Sequence, residues 1–317
     1  MSSSAESVLP KSSPEDNSPP FKLRTILDAE ALKQLNQRSD RKGWQQLGSH
    51  IGILLVSGSL WGQGTWLALP ALIVYGFGLA SMFAVVHECV HRTAFASPKL
   101  NDRVAWLAGV LSFYNSTFYR RYHKWHHRYT QIPGKDPELE DPIPDSWGSY
   151  LWQLSGIPWW LGKVQGHFRA IRGDFTGCPY ISASAAPEVR RSTLWQLAIY
   201  GLAIAISIWQ HQPWFITYWV LPLAIGQPIL RFILLAEHTG CTKDNNPLSN
   251  TRTTLTLLPV RVLMWNMPFH AEHHLSASIP FHALPQTHQL IADKLVHVDP
   301  GYVSVNRQLT QQFSAAS

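Results

Sequence analysis

Two long stretches of the chain, Gly43 to His87 and Ser192 to Leu230, are built of apolar and uncharged residues with no Asp, Glu, Lys or Arg. Each has room for two helices of about 20 residues, the length that crosses a bilayer core. Each is also broken near its middle by turn-forming residues. The first break is Trp61-Gly62-Gln63-Gly64-Thr65-Trp66, with a Trp on either side as at a membrane surface. The second is His211-Gln212-Pro213-Trp214, which leaves arms near 193–210 and 214–236. The pattern predicts two helical hairpins, hence four spans. Pro222 and Pro228 fall in the last arm and are expected to kink it, with neighbouring helices covering the carbonyls that proline frees.

Between the hairpins, Val104 to Tyr114 is apolar but too short to cross, so it is expected to be re-entrant or buried. Trp147, Tyr150, Trp152, Trp159 and Trp160 cluster as aromatics do at an interface. Upstream, Leu23, Ile26, Leu27, Leu32 and Leu35 recur at helical spacing among charges and predict a helix lying on the membrane surface. Residues 1–22 are Ser, Pro and charge, without the apolar core of a signal peptide, and read as a disordered cytosolic tail. The expected division is a tail with an interfacial helix over 1–44, a membrane domain over 45–290 and a cytosolic C-terminal tail over 291–317.

Charged residues make up 15% of the chain against roughly 25% in soluble domains, which fits an all-α membrane protein. Disorder of the bulk is excluded by 14 Trp, 13 Phe and 10 Tyr, and a disulfide scaffold by only three scattered cysteines, Cys89, Cys178 and Cys241. Lys11, Lys22, Arg24, Lys33, Arg38, Arg41 and Lys42 precede the first span, and Arg120, Arg121, Lys124, Arg128, Arg190 and Arg191 lie between the hairpins. Neither short turn carries a basic residue. The positive-inside rule therefore places both termini and the central segment in the cytosol.

Nine of the fifteen histidines fall in four places that this topology puts on that side. His87-Glu88-Cys89-Val90-His91 lies where the second span leaves the bilayer, and i, i+4 residues share a helix face about 6 Å apart along the axis. His123-Lys124-Trp125-His126-His127 and His270-Ala271-Glu272-His273-His274 repeat an i, i+3, i+4 pattern, and His238 follows the fourth span. Together these imidazoles can enclose one or two metal ions. One tetrahedral zinc takes four ligands at most, so the count points to two ions, and imidazole suits iron, copper, zinc and nickel alike. His87 to His91 also reads H-E-x-x-H, a metalloprotease motif with Glu88 as base, but that reading leaves seven clustered histidines without a task. A metal transporter would place its ligands at mid-bilayer on broken helices rather than at helix ends. His50, His167, His211, His282, His288 and His297 stand outside the clusters and read as structural.

The set His87/His91, His123/His126/His127 and His270/His273/His274, in this order with a hairpin between the last two, resembles the three histidine boxes of the membrane fatty acid desaturase superfamily. The likeness runs over roughly residues 45–290. Asp136-Pro137-Glu138 looks like the acidic motif that trails the second box, and Glu237-His238-Thr239-Gly240 is similar to the E-H-x-G stretch of alkane monooxygenases. The resemblance implies a four-span fold whose cytosolic helical cap holds two irons on His87, His91, His123, His126, His127, His238, His270, His273 and His274. It implies dehydrogenation of a fatty acyl chain by O2, with hydroxylation or ketolation of a lipid, carotenoid or alkane as the alternative. Leu275-Ser276-Ala277-Ser278-Ile279-Pro280 departs from the aromatic-Pro sequence of many relatives after box three. Since metal-bound imidazoles usually donate their other N–H to a carboxylate, amide or carbonyl, Glu88, Asp136, Glu237, Asn266 and Glu272 are expected to orient the ligands. The chain has no His-Pro-Gly-Gly haem motif, no four-cysteine set and no G-x-G-x-x-G fingerprint, so electrons are expected from outside, from a ferredoxin or from cytochrome b5 with its reductase. The expected partners are that donor, a lipid and the membrane, with no nucleic acid.

Overall fold

The computed structural model describes residues 25–314. The tail expected over 1–22 and Leu23 lie outside the described residues.

Helix α1 (Ala29–Leu35) is capped by Asp28, whose side chain accepts from the Ala31 N–H at 2.7 Å. Its apolar side does not lie on a membrane surface. Leu27 and Leu35 are buried against Phe269, Leu275, Ile279 and Ile291, so the stripe read as interfacial is covered by protein. α2 (Asp40–Gly62) begins earlier than expected because Ser39 caps it, and Asp40, Arg41 and Lys42 occupy its first turn. The first turn after α2 then leads into α3 (Ala68–Val90), and Trp66 in that turn is exposed.

Among the described residues, three helices are long and apolar enough to cross a membrane: α3, α8 (Ala186–Trp209) and the run Ile216–His238. α2 equals α3 in length, but its polar first turns keep it from matching them in hydropathy. α3 is the central helix. From Gly76 to Val90 it is buried all round, with α2, α4 (Pro98–Ser112) and α9 (Leu221–His238) packed on it. The short apolar segment expected to be buried is α4, whose Val104, Ala105 and Ala108 face α3.

The last arm departs from the α-helix just ahead of Pro222, whereas Pro228 stands inside the helix that follows. A π-helical turn over Ile216–Val220 leads into α9, and the carbonyl of Tyr218, four residues before Pro222, accepts from Tyr75 Oη at 2.9 Å. The neighbouring carbonyl of Thr217 accepts from Trp61 Nε1 at 3.0 Å. Side chains of α2 and α3 thus cover oxygens that would otherwise face lipid. Below this point α3 and α9 cross at Gly76 and Gly226, where a Cβ on Gly226 would stand 1.9 Å from the Gly76 carbonyl oxygen.

α5 (Ser116–Tyr129) starts on Asn115, whose side chain accepts from the N–H groups of Thr117 and Phe118. α6 (Trp147–Leu154) and α7 (Ile157–Arg172) follow, and the aromatic cluster divides between them. Trp147 and Trp152 remain exposed, whereas Tyr150 is buried with its hydroxyl on Asn306, and Trp159 and Trp160 pack on the core. After α9 come α10 (Leu258–Leu263), α11 (His270–Leu275), α12 (Leu284–Ile291) and α13 (Tyr302–Gln311). A two-residue strand β1 (Thr253–Thr254) pairs in parallel with β2 (Val298–Asp299). The stretch read as a C-terminal tail is therefore packed: Tyr302 and Val305 enter the main core, and Phe313 packs on Tyr150.

The crossing gives a prediction. Gly226→Ala overpacks the α3–α9 contact and is expected to destabilise the protein by about 1–3 kcal/mol. Gly201→Ala, where a Cβ meets nothing within 4 Å, should be neutral. Thermal unfolding of the two variants in detergent checks this.

Candidate metal centre and its cavity

Four helix segments deliver the nine histidines to one place. His87 sits in the last turn of α3 and His91 caps it; α5 carries His123, His126 and His127; α9 ends on His238; and α11 carries His270, His273 and His274 on its single six-residue run. The end of α9 is fixed by Arg252, which donates to the carbonyls of Ala236 and Thr239 and pairs with Asp299 at 2.8 Å. α11 is fixed by Glu272, which accepts from Thr253 on β1 and bonds His288 on α12, each at 2.5 Å.

The imidazoles form two sets. Ligand atoms of His87, His91, His123, His127 and His273 all lie within 4.8 Å of one another, as do those of His126, His238 and His274. His270 adjoins the second set, its Nε2 3.1 Å from His238 Nε2. Other ring nitrogens also meet nitrogen to nitrogen, with His273 Nε2 3.0 Å from His127 Nε2 and His126 Nε2 3.4 Å from His274 Nε2. His87 Nε2, His91 Nε2, His123 Nδ1, His270 Nδ1 and His273 Nδ1 are buried with no hydrogen-bond partner. Buried polar atoms in folded proteins are nearly always satisfied, so ring nitrogens that meet only one another or no partner at all form the pattern a cation completes.

Burial holds the rings in the neutral form that ligates metals. It pushes His91 down to about 3, and drives His123, His127, His270, His273 and His274 well below the ordinary range. His126 is the exception: burial opposes its charge, but the Glu138 and Asp136 carboxylates outweigh it and raise the group.

The five residues expected to orient ligands divide. Asp136 accepts from His126 Nδ1 at 2.9 Å, and Glu237 lies 3.6 Å from His270 Nε2. Glu88 instead accepts from the Phe281 N–H at 3.0 Å, on the side of α3 away from the cluster. Asn266 bonds Arg261 and the Phe281 carbonyl, and Glu272 bonds Thr253 and His288 rather than a box histidine. Because α3 and α11 are buried all round, their acidic residues must find partners on whichever side they face, and the residue next to a histidine points about 100° around the helix from it. His288 is thereby tied to Glu272, while His50 bonds the Gly78 carbonyl and His167 that of Lys163, as structural histidines do.

Three contributors were not foreseen. Asn250 accepts from His238 Nδ1 through its carbonyl at 3.2 Å, and Thr130 Oγ1 lies 3.2 Å from His274 Nδ1. Glu138 stands 3.5 Å from His126 Nε2 and with His123 and His126 forms a third ligand group. The signal for Glu138 was the Asp-Pro-Glu run itself, since Pro137 starts a 3₁₀ turn capped by Asp136, which puts both carboxylates on His126.

A cavity of about 460 Å3 opens beside the cluster, lined at one end by His87, His123, His126, His238 and His270 and elsewhere by α5, α7 and α9. Glu88 is absent from its lining, which removes the general base that a protease reading needs.

The sequence is similar to those of known proteins. The family model for fatty acid desaturase matches residues 64–306. A protein of Picosynechococcus sp. named sn-1 oleoyl-lipid 12-desaturase is 24% identical over 86% of this chain and 83% of its own. A dihydrorhizobitoxine desaturase of Bradyrhizobium elkanii is 26% identical over 76% of this chain and 70% of its own. A human sphingolipid delta(4)-desaturase/C4-monooxygenase is also 26% identical, over 84% and 79%. With three apolar helices, a histidine cluster able to hold metal and a family match over most of its length, this membrane protein belongs to the fatty acid desaturase family and is an oxidoreductase.

Proposed function

We propose that the protein desaturates a fatty acyl chain of a membrane lipid, holding two irons on its nine clustered histidines and taking electrons from a separate donor. The observation that carries this reading is the partition of the clustered imidazoles into two sets at the end of a cavity. Two irons bound there supply the O2 activation that removal of hydrogen from an unactivated chain requires. The overall change is balanced when one O2, two electrons and two protons accompany loss of two hydrogens from the substrate, giving a double bond and two waters. The chain's own part is to hold the substrate against the histidines and exclude water. Phe83, Tyr119 and Tyr122 supply the aromatic wall, with Tyr119 stacked on His123 at 5.0 Å. Hydroxylation is the second reading, since the human relative is named for both outcomes.

We further assign four spans, with α2 as the fourth, and place both termini and the centre on the cytosolic side. Arg120 and Arg121 are engaged with Asp102 and Glu188, which leaves Lys124 and Arg128 as the exposed cations of α5 for meeting an acidic donor.

Purified protein from iron-replete cells is expected to hold close to two irons per chain by elemental analysis, and stoichiometric zinc without iron would overturn the assignment. Asp136→Asn, which withdraws the carboxylate from His126, should weaken metal retention by about 10–100-fold, while His211→Ala in the exposed outer turn leaves it unchanged. Expression in a host with saturated or monounsaturated lipids should yield a new double bond in its lipid profile, abolished by His126→Ala or His273→Ala. In reconstituted turnover, Lys124→Gln with Arg128→Gln should raise the donor concentration needed and flatten its salt dependence at constant iron content.

A further inference from the structure

Away from the histidines, one wall of the cavity gathers the donors of Lys163, Arg231 and Trp159 around the Tyr114 hydroxyl. Lys163 Nζ from α7 lies over the Tyr114 ring, 3.5 Å from its centroid. Arg231 from α9 donates through one terminal nitrogen to Tyr114 Oη at 3.3 Å, and Trp159 Nε1 donates to the same oxygen at 3.1 Å. Arg231 Nε is buried without a partner, and neither Lys163 nor the Tyr114 hydroxyl proton has an acceptor among the described residues. Both cations also lie 5.9 Å from the Trp159 ring, so two like charges share one small site. Glu138, Asp141 and Glu237 line the same cavity but form no ion pair with either cation, Glu138 lying 3.5 Å from His126 and Glu237 3.6 Å from His270.

We propose that Lys163, Arg231 and the Tyr114 hydroxyl form a binding subsite for an anionic group of the substrate, a carboxylate or a phosphate. Two cations without an ion pair, converging with the free proton of the Tyr114 hydroxyl, are complementary to an oxyanion. Burial, reinforced by the charge of Arg231, pushes Lys163 down to about 7 against the opposing pull of Asp141, which forms no ion pair with it. The subsite belongs to the cavity that ends at the histidines, so the inference rests on the desaturase reading for what happens to the ligand but not for its binding.

The test is equilibrium binding to the purified, iron-loaded protein in neutral detergent. Two matched pairs are compared: oleate with methyl oleate, and dioleoylphosphatidylglycerol with dioleoylglycerol. In at least one pair the anionic member should bind about 10-fold or more tightly, as a charge-assisted contact requires. Preference within the first pair alone identifies the carboxylate of a free acid, and within the second alone the phosphate of a lipid headgroup. Lys163→Gln with Arg231→Gln should abolish the preference without changing the affinity of the neutral member or the iron content, and Lys163→Arg should retain it. Equal binding within both pairs by the unaltered protein overturns the subsite, a result that needs no variant to fold. Parallel loss of anionic and neutral ligands in the double variant at full iron content overturns it as well. If the preference fails while host lipids still gain a double bond, the subsite falls and the desaturase reading stands. If it holds while no double bond forms, the reverse is true.

Discussion

Bringing nine imidazole rings into a dry interior is the constraint from which the rest of the architecture follows. A neutral ring offers one donor and one lone pair, and where lone pair meets lone pair only a cation or a proton can complete the contact. Nothing within the protein fills that role for His87 and His91, whose Nε2 atoms are buried without a partner, or for His273 and His127, whose Nε2 atoms meet at 3.0 Å. Holding these rings together is therefore a cost, which a bound metal would repay as folding free energy. That accounts for the ties around the site: Asp136 on His126, the Asn250 carbonyl on His238, Thr130 on His274, and Glu272 pinning α11 to β1 and α12.

The same constraint sets how the apolar helices meet. His87 and His238 lie near the ends of the two helices that cross most closely, α3 and α9. With lipid outside and no water to drive apolar association, close backbone approach at small residues is what holds such a pair. Gly76 and Gly226 provide it. The π turn ahead of Pro222 shifts the helical register of the chain entering α9, and the Tyr75 and Trp61 side chains absorb the carbonyls involved. Beyond α9, Arg252 closes the helix end so that His238 leaves it at a fixed point.

What was legible in the sequence depended on period and local spacing. The charge-free runs revealed α3, α8 and the run ending in α9, and the spacing of the histidine boxes revealed which rings share a helical face. Partnerships across the fold were not legible. Leu27 and Leu35 have the spacing of a surface helix whether lipid or the third-box segment covers them, and only tertiary packing chose the latter. Glu88 and Glu272 stand beside histidines in sequence but bond elsewhere, because adjacency along a helix means separation around it, and Asn266 lies in the turn before α11, where its side chain is taken by Arg261 and the Phe281 carbonyl. Asp136 was legible because it heads a proline-fixed turn directly after α5, where chain length leaves little choice of partner.

Lys163 and Arg231 were invisible for the same reason, lying on different helices with nothing local to link them. Their placement gives the cavity a direction. One end is rich in nitrogen lone pairs and takes cations; the other is rich in donors and takes an anion. Two short chains of ring contacts join them: Tyr114 to Tyr119 at 5.7 Å and Tyr119 to His123 at 5.0 Å, or Tyr114 to Phe83 at 4.5 Å and Phe83 to His87 at 6.2 Å. If the proposed subsite holds, an amphipathic anion binds with its charged end on Lys163 and Arg231 and its apolar part along Phe83 and Tyr119. The carbons offered to the centre are then counted from the anionic group rather than from the far end of the chain, because the fixed distance is the one between donors and histidines.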